Sequence, residues 1–436
     1  MKNPPTRLEP RWLQASATLA VFVVAIGCET APEYRNADFY YFRNEPERVE
    51  LAYEGALQDQ GKNALLGTEK LLSTAIARGD WQRAEELAIR ASTLCNIFLG
   101  YQPGERDALS LLGQEKDKPF KGEPHERVMV DCYLGLLRYQ KGDYEGALAA
   151  FRSAIDKDRG SFLLPVDVDK AKRKSNNATR FLYNDDYALL RFFVAKCYEL
   201  LNEPDNAARN LGVAKQIAPE LAPLFDEAMD PRNNVIAVIE GGQVPRKRQS
   251  GPQGAILAYS ETTGPTLEQV EVSGHGLSFS LIDDLYDQAT TLGKRQVDQL
   301  NREKAIKQEA IQAAGLATSV TGYFLTMAGA HSNNRTMQYA GLAAIGAGVA
   351  TMIIASTVID PRADTREWSL LPRYLYFAVG SAEPMEGAVL KVEANGVRGS
   401  ESQTWTDVPV KEQNNLYWMR LLPGRTGGRW PAAPTE

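Results

Sequence analysis

Between residues 46 and 230, apolar and small side chains recur at the three- and four-residue spacing of amphipathic helices. Short turns interrupt the periodic stretches; the turn at Gly142 is the clearest, and similar turns surround Gly79 and Asn202. Each turn has a helical pattern on both sides. The pattern therefore predicts three pairs of short helices, each pair joined by a tight turn.

Small residues in the second and third pairs stand where two helices would cross closely. Larger residues such as Phe151 would fill the space beside the crossing. Together with the turn residue Gly142 and the closing residue Pro219, the positions are Leu134, Gly135, Gly142, Ala147, Phe151 and Ala154 in the second pair, and Ala195, Tyr198, Ala207, Ala214 and Pro219 in the third. We expect Gly135 and Ala147 to be close neighbours. This set resembles the tetratricopeptide repeat, although the three turns are about 60 residues apart and the repeat period is about 34. The resemblance implies a solenoid with a concave groove for peptides or protein surfaces.

After Asp230-Pro231 the pattern changes to short β-branched runs with period-two alternation. Strands are predicted in NVIAVIEGG, GAILAYSE, EQVEVSG and LSFSLID, and again in RYLYFAVG, GAVLKVEANG, TWTDVPV and LYWMRLL. QVPRKRQSG is predicted as a loop, and residues 284–310 as a charged amphipathic helix. Strands on both sides of a helical insert indicate an α+β domain over residues 231–424, followed by a flexible tail at 425–436.

Two uncharged runs, Ile311–Ala330 and Tyr339–Ile359, lie between the strands. Seven residues are nearly two helical turns, so small residues at this spacing form one stripe on each run. Two such stripes predict an antiparallel hairpin over 311–359, with Gly322 near Gly348 or its neighbours. The stripes consist of Gly315, Gly322 and Gly329, and of Gly341, Gly348 and Ala355.

The predicted hairpin has two alternative environments. It either packs within a soluble fold, with Phe324 and Ile353 facing the strands, or inserts in a membrane. The Ala, Gly and Thr content of both runs makes them weak spanning segments, which favours the soluble alternative.

Residues 1–27 have the features of a secretory signal: three basic residues against one acidic residue, then an uncharged run from Ala15 to Gly27. That run is too short to span a bilayer, which takes about 20 residues. Ala25-Ile26-Gly27-Cys28 resembles the bacterial lipobox. The resemblance implies cleavage before Cys28, lipidation of the new N-terminal cysteine, and a lipidated tether over residues 28–45. Glu29 implies the outer membrane, facing the periplasm.

Charge and composition argue against several classes of function. The formal net charge is −6, and removal of residues 1–27 brings it to about −8, whereas nucleic-acid binding requires a basic face. Three cysteines, Cys95, Cys132 and Cys197, lack the spacing of metal ligands and are predicted to be small core residues. The sequence leaves open whether two of them form a disulfide. Three histidines, His125, His275 and His331, lie in separate segments, and no catalytic motif is found. No cofactor, metal or enzymatic activity is therefore predicted.

Two further stretches, VIAVIEGGQVPRKRQ and PRADTREWSLLP, resemble segments of a broad group of bacterial envelope lipoproteins with N-terminal tetratricopeptide repeats. The resemblance covers most of the mature chain and implies no activity. It is carried by Pro245, Asp364, Arg366, Trp368 and Pro372. We expect Asp364 and Arg366 to pair across a turn, and Trp368 to pack the hairpin onto the sheet.

The combined prediction is an α-helical solenoid over residues 46–230 followed by a smaller α+β domain. The expected function is that of a lipid-anchored periplasmic adaptor or scaffold, with envelope proteins or peptides in the helical groove. A homo-oligomer is compatible with this prediction. One alternative is a component of an export or assembly complex that inserts residues 311–359 in a membrane. Another is an enzyme with its site in the C-terminal domain.

Overall fold

The computed structural model describes residues 37–41, 45–58, 61–100, 119–159, 187–233, 235–260, 266–272, 275–291, 296–358, 361–380, 388–396, 399–408, 415–420 and 428–429. The predicted signal, Cys28 and most of the tether lie outside these residues, as does most of the tail. The first half of the chain is helical and the second half combines helices with a small region of mixed sheet. The predicted helical and α+β composition is confirmed at this level.

The first half contains three antiparallel helical pairs. Their turn residues Gly79, Gly142 and Asn202 have φ of 72°, 85° and 59°, the left-handed conformation that ends a helix. The helices are α1 (Pro46–Gln58), α2 (Ala64–Arg78), α3 (Trp81–Gly100), α4 (Pro124–Lys141), α5 (Tyr144–Arg159), α6 (Ala188–Leu200), α7 (Pro204–Ile217) and α8 (Ala222–Met229). The pairs are α2 with α3, α4 with α5, and α6 with α7.

Helix α4 lies at the centre of the helical half. A reciprocal capping box starts the helix: the Glu123 side chain accepts from the third helical N–H, and the Glu126 carboxylate accepts from the backbone N–H of Glu123 at 2.6 Å. Pro124 occupies the first helical turn, where its missing N–H leaves no bond unmade. Nearly every residue of α4 is buried, so this helix has neighbours on all sides.

The second half contains a four-stranded sheet in the order β10-β1-β7-β6 and a five-stranded sheet in the order β11-β9-β8-β4-β5. In the first sheet β1 is parallel to β10 and antiparallel to β7. The strands are β1 (Val235–Gly241), β2 (Arg246–Ser250), β3 (Ile256–Ser260), β4 (Thr266–Val272), β5 (His275–Leu277), β6 (Ser280–Asp284), β7 (Tyr374–Gly380), β8 (Ala388–Gly396), β9 (Gly399–Val408), β10 (Asn415–Arg420) and β11 (Gly428–Arg429). The intervening helices are α9 (Leu285–Thr291), α10 (Gln296–His331) and α11 (Arg335–Val358).

Three details differ from the sequence prediction. The predicted loop QVPRKRQSG contains strand β2, which pairs with β3 from Arg246 opposite Ser260 to Ser250 opposite Ile256. The predicted tail contains the short strand β11. Most of the predicted charged helix and the first apolar run form one helix, α10, because the backbone stays helical across Ala310 and Ile311.

Aromatic side chains from both halves share one hydrophobic core. The indole of Trp418 on β10 stacks on Trp81 at 5.7 Å and on Tyr133 at 5.4 Å between ring centroids. Phe192 of α6 meets Phe377 of β7 at 4.8 Å. The predicted boundary at residue 230 therefore marks a change of secondary structure, while the side chains on its two sides form a single core.

Candidate functional site

The small residues predicted at the helix crossings are mostly buried. A Cβ atom built on Gly135 would lie 2.6 and 2.7 Å from two ring carbons of Phe151, so the bare backbone of α4 packs on that ring. The three nearest atoms all belong to Phe151, the side chain that was predicted to fill the space beside the crossing. Leu134, Ala147, Phe151, Ala154, Ala195, Ala207 and Ala214 are buried, Tyr198 is half-buried and Pro219 is exposed.

The chain itself covers the surface on which a partner groove was predicted. The first helix of each pair, α2, α4 and α6, is buried almost throughout. Residues 361–373 lie against α2, where the Trp368 indole donates to the Ser73 hydroxyl at 2.8 Å and Lys70 donates to Ser369 at 2.8 Å. The sheet contacts α6, since the Asp283 carboxylate accepts from the backbone N–H groups at the start of that helix.

A buried ion pair joins the helical half to residues 361–373. The Lys247 ammonium donates to Glu126 at 2.7 Å and to the Arg366 carbonyl at 2.9 Å, with 2% and 1% of the paired side chains exposed. Glu126 also accepts from the backbone N–H of Trp368 at 2.8 Å. Burial by itself would lower the pKa of Lys247, but the adjacent carboxylates of Glu126 and Glu123 outweigh it and raise that pKa above its ordinary value. We call Glu126, Lys247 and Trp368 the clasp.

Side chains of residues 363–372 lie around the clasp. Asp364 and Arg366 pair as predicted, at 2.6 Å, and Arg366 also donates to Asn63 at 2.9 Å. Trp368 was predicted to pack the hairpin onto the sheet, and this prediction is wrong. Its indole meets the Tyr133 ring of α4 edge-on and donates to the Ser73 hydroxyl of α2, so Trp368 packs on the helical half. Pro245 and Pro372 are buried beside it.

Further titratable groups lie near the clasp. Glu69 is fully buried, and neither of its carboxyl oxygens has a hydrogen-bond partner within the described ranges. Burial, followed by repulsion from Glu126, raises the pKa of Glu69 well above its ordinary value. Burial lowers the pKa of His125 to about 4.

The other predicted candidates do not join this cluster. Cys95, Cys132 and Cys197 are buried free thiols, and burial raises the pKa of Cys197 to about 12. His275 begins strand β5, and His331 ends α10. Among the residues that the structure describes, no group of three or more histidine, cysteine or carboxylate side chains is arranged to hold a metal.

The glycine stripes of α10 and α11 form the seam of a helical hairpin. A Cβ atom on Gly322 would lie 2.5 Å from the Gly341 carbonyl oxygen, and one on Gly315 would lie 2.8 Å from that of Gly348. The two backbones are therefore in direct contact. Gly322 faces Gly341, and the backbone nitrogen of Ile345, three residues from the predicted partner Gly348, lies 2.7 Å from the same Cβ position; Gly348 itself faces Gly315. Ala355 is buried near the base, and Gly329 lies beside the tip.

The remaining surface of the hairpin is apolar and exposed. Phe324 is 65% and Ile353 46% exposed, so these side chains are not packed against the strands as the soluble alternative expected. The stretch Arg335–Ser356 is the one helix in the described part of the chain that is long and apolar enough to cross a membrane. Large exposed side chains on the hairpin are Leu316, Val320, Tyr323, Phe324, Met327, Tyr339, Leu342, Val349, Ile353 and Ile354.

Hydroxyl groups on the hairpin are satisfied inside the hairpin itself. Thr318, Thr321, Thr326 and Thr351 each donate to the carbonyl four residues earlier, at 2.8–2.9 Å. Such bonds remove the need for water at a hydroxyl, which is the condition for placing it in hydrocarbon. The base is fixed by Gln308, whose amide donates to the Ala355 carbonyl at 3.2 Å.

Two features thus distinguish this molecule: a buried clasp that joins its halves, and an apolar hairpin whose outer faces have no cover within the described residues. The clasp is nearly inaccessible to solvent. Comparison of the chain with protein-family models, curated proteins and solved structures finds no match. The hairpin is therefore the candidate functional site, on the strength of its geometry.

Proposed function

We propose that this protein is a lipid-anchored envelope protein that inserts the hairpin α10–α11 in a membrane and keeps its helical and sheet body in the periplasm. The observation that carries the proposal is the apolar, exposed outer surface of the hairpin. Ten large side chains there are 41–69% exposed. A soluble monomer rarely exposes a continuous apolar surface of this extent.

The energy available from insertion is large. Complete burial of one such side chain is worth roughly 1.5–3 kcal/mol, so covering the half-exposed portion is worth about 1 kcal/mol each. Ten side chains then contribute on the order of 10 kcal/mol. The polar groups oppose this little, because the threonine hydroxyls are already bonded to helix carbonyls.

The lipid on Cys28 would act together with the hairpin, since stable anchoring requires more than one chain or signal. We place the anchored protein at the outer membrane on the basis of Glu29 in the lipobox-like segment. A body tethered in this way would be a component of an envelope assembly, and it would carry out no chemistry of its own.

The three helical pairs support a solenoid of the tetratricopeptide type as the finer description of the helical half. A groove that binds envelope proteins receives less support. The first helices of the three pairs, α2, α4 and α6, are buried almost throughout, and residues 361–373 and the sheet pack on them. Partner proteins would therefore bind the outer helices α3, α5 and α7, and the hairpin would hold the complex at the membrane.

Removal of the lipid tests this proposal. We would fuse Glu29 to a cleavable export signal without a lipobox, fractionate the cells and extract the membranes at alkaline pH. The proposal predicts that the unlipidated chain stays in the membrane pellet, because the hairpin holds it there. Release of this chain into the soluble periplasm would refute it.

A pair of matched variants shows which surface is responsible. Val320→Lys with Val349→Lys places two charges near the middle of the hairpin, and each costs about 2.5–3.5 kcal/mol in a membrane. We expect this variant of the unlipidated chain to be released. Leu51→Lys changes a 75% exposed leucine on α1 and serves as the control that stays in the pellet.

A further inference from the structure

We propose that the hairpin spans the whole bilayer, so that its tip, residues 331–335, emerges on the side opposite to the body. This inference rests on the proposed membrane insertion and adds the depth and topology of the inserted segment. The alternative is shallow insertion, in which the hairpin lies along the interface or buries its tip in the hydrocarbon. Three observations on the hairpin decide between these arrangements.

The first observation is length. Helix α11 has 24 residues, which corresponds to about 36 Å at 1.5 Å per residue. The uncharged part of α10, residues 311–331, spans about 30 Å. The hydrocarbon core of a bilayer is about 30 Å thick. Both helices are therefore long enough for a full crossing, and Arg335–Ser356 of α11 is also apolar enough for one. A shallow insertion would leave part of this apolar length in water.

The second observation is the distribution of side chains around the hairpin. A helix that lies in the interface needs a charged or strongly polar face toward water. The surface between Glu309 and Arg335 carries no charged residue. Its exposed threonines, such as Thr318 and Thr321, have their hydroxyls bonded to the helix. No face of the hairpin is thus suited to the aqueous side of an interface.

The third observation is the composition of the two ends. At the tip, His331, Ser332, Asn333, Asn334 and Arg335 are all exposed. A charged arginine at the bilayer centre costs at least 2.5–3.5 kcal/mol, so the tip is stable only in water or among head groups.

Tyr339 and Lys307 mark the two levels at which the hairpin would meet the membrane surfaces. Tyr339 is 69% exposed and lies one helical turn from Arg335, the position typical of a tyrosine at a membrane surface. At the other end Lys307 and Glu309 are exposed beside the body. The apolar zone is therefore bounded by polar groups on both sides.

Single cysteines in the unlipidated mature chain test this topology. We would add the chain to preformed vesicles of phosphatidylethanolamine and phosphatidylglycerol that have been softened with detergent, and then remove the detergent. A membrane-impermeant maleimide is either added outside the vesicles or trapped in their lumen. Ser332→Cys reports on the tip, Ala347→Cys on the exposed middle of α11, and Leu51→Cys on the body. The parent chain is the blank, because Cys95, Cys132 and Cys197 are buried.

We expect the tip cysteine to react only with the trapped reagent, the mid-helix cysteine with neither, and the body cysteine only with the external reagent. Protection of the tip from both reagents, in protein that resists alkaline extraction, would overturn full crossing and leave membrane insertion intact. Labelling of both the tip and the mid-helix cysteine from outside, in protein that alkali extracts, would overturn the proposed function as well.

Discussion

The contact between Gly135 and Phe151 leads to a quantitative prediction about the helical half. Gly135 lies in the middle of α4, and its Cβ position is already occupied by the Phe151 ring, with two ring carbons at 2.6 and 2.7 Å. Gly212 lies in the middle of α7, and a Cβ there would have no heavy atom within 4 Å. Gly135→Ala and Gly212→Ala are therefore the same change in two helices, with and without a steric obstacle.

The magnitude follows from two effects. Alanine is favoured over glycine inside a helix by about 1 kcal/mol, and this gain applies at both positions. At Gly135 the added methyl must displace the Phe151 ring, which is fully buried and stacks on Phe193 at 5.2 Å. Overpacking of a rigid core costs roughly 1–3 kcal/mol. We expect Gly212→Ala to raise the unfolding free energy of the chain by up to about 1 kcal/mol. The Gly135→Ala variant should be about 1–3 kcal/mol less stable than the Gly212→Ala variant.

Urea unfolding of the full mature chain measures both values. Tryptophan fluorescence is the appropriate signal, because Trp81 and Trp418 stack in the shared core. A third variant, Phe151→Leu, gives the site more room, so the double variant with Gly135→Ala should show a favourable coupling of about 0.5–3 kcal/mol. Equal stabilisation by both alanines, or strictly additive effects in the double-mutant cycle, would show that the packing described for Gly135 is wrong.

The remaining predictions concern charge and lipidation. Because burial raises the pKa of Glu69 in the folded chain, the stability of the chain falls as pH rises above the ordinary value of 4.5. We therefore expect Glu69→Gln to raise the unfolding free energy at pH 8 but not at pH 4. The pKa of His125 is lowered from its ordinary value of 6.5 to about 4 in the folded chain, so stability is lost as pH falls through this range. We expect His125→Phe to remove about 3 kcal/mol of that loss, measured by urea unfolding at each pH. Lys247→Met breaks the buried pair of the clasp and should cost about 3–5 kcal/mol, whereas Arg232→Met, in an exposed pair, should change the urea midpoint little. Cys28→Ala should abolish incorporation of a fatty-acid probe, and equal labelling of both chains would contradict the lipobox interpretation.

Local periodicity and turn chemistry were sufficient to predict the helical pairs. Gly79, Gly142 and Asn202 mark turns because only a few residue types tolerate positive φ, and this preference acts within one residue. The small residues at seven-residue spacing likewise predicted a glycine seam, since a helix places them on one face by its own geometry. Strands β1 and β7 were recognisable because their buried runs are rich in β-branched and aromatic side chains.

Tertiary structure alone decided how these elements combine. The clasp brings together residues 121 and 242 positions apart, and no local pattern encodes such a pairing. Strand β2 is charged and has little strand character, and it forms because β3 supplies an antiparallel neighbour. Whether helical pairs leave an open surface depends on the segments that pack on them, and residues 361–373 pack on α2.

In the hairpin, the sequence determined one part of the arrangement and the tertiary structure decided the rest. Its sequence determined that two helices would pack along small residues, because helical spacing is a property of the backbone. The register depended on the length of the connecting turn, which is 332–334 and shorter than the polar stretch 331–338. Whether Phe324 and Ile353 would meet the strands or face outward depended on where the body of the protein lies, and the fold leaves them exposed. Amino-acid composition specifies that a surface is apolar, whereas only the packing of distant segments determines whether that surface is covered.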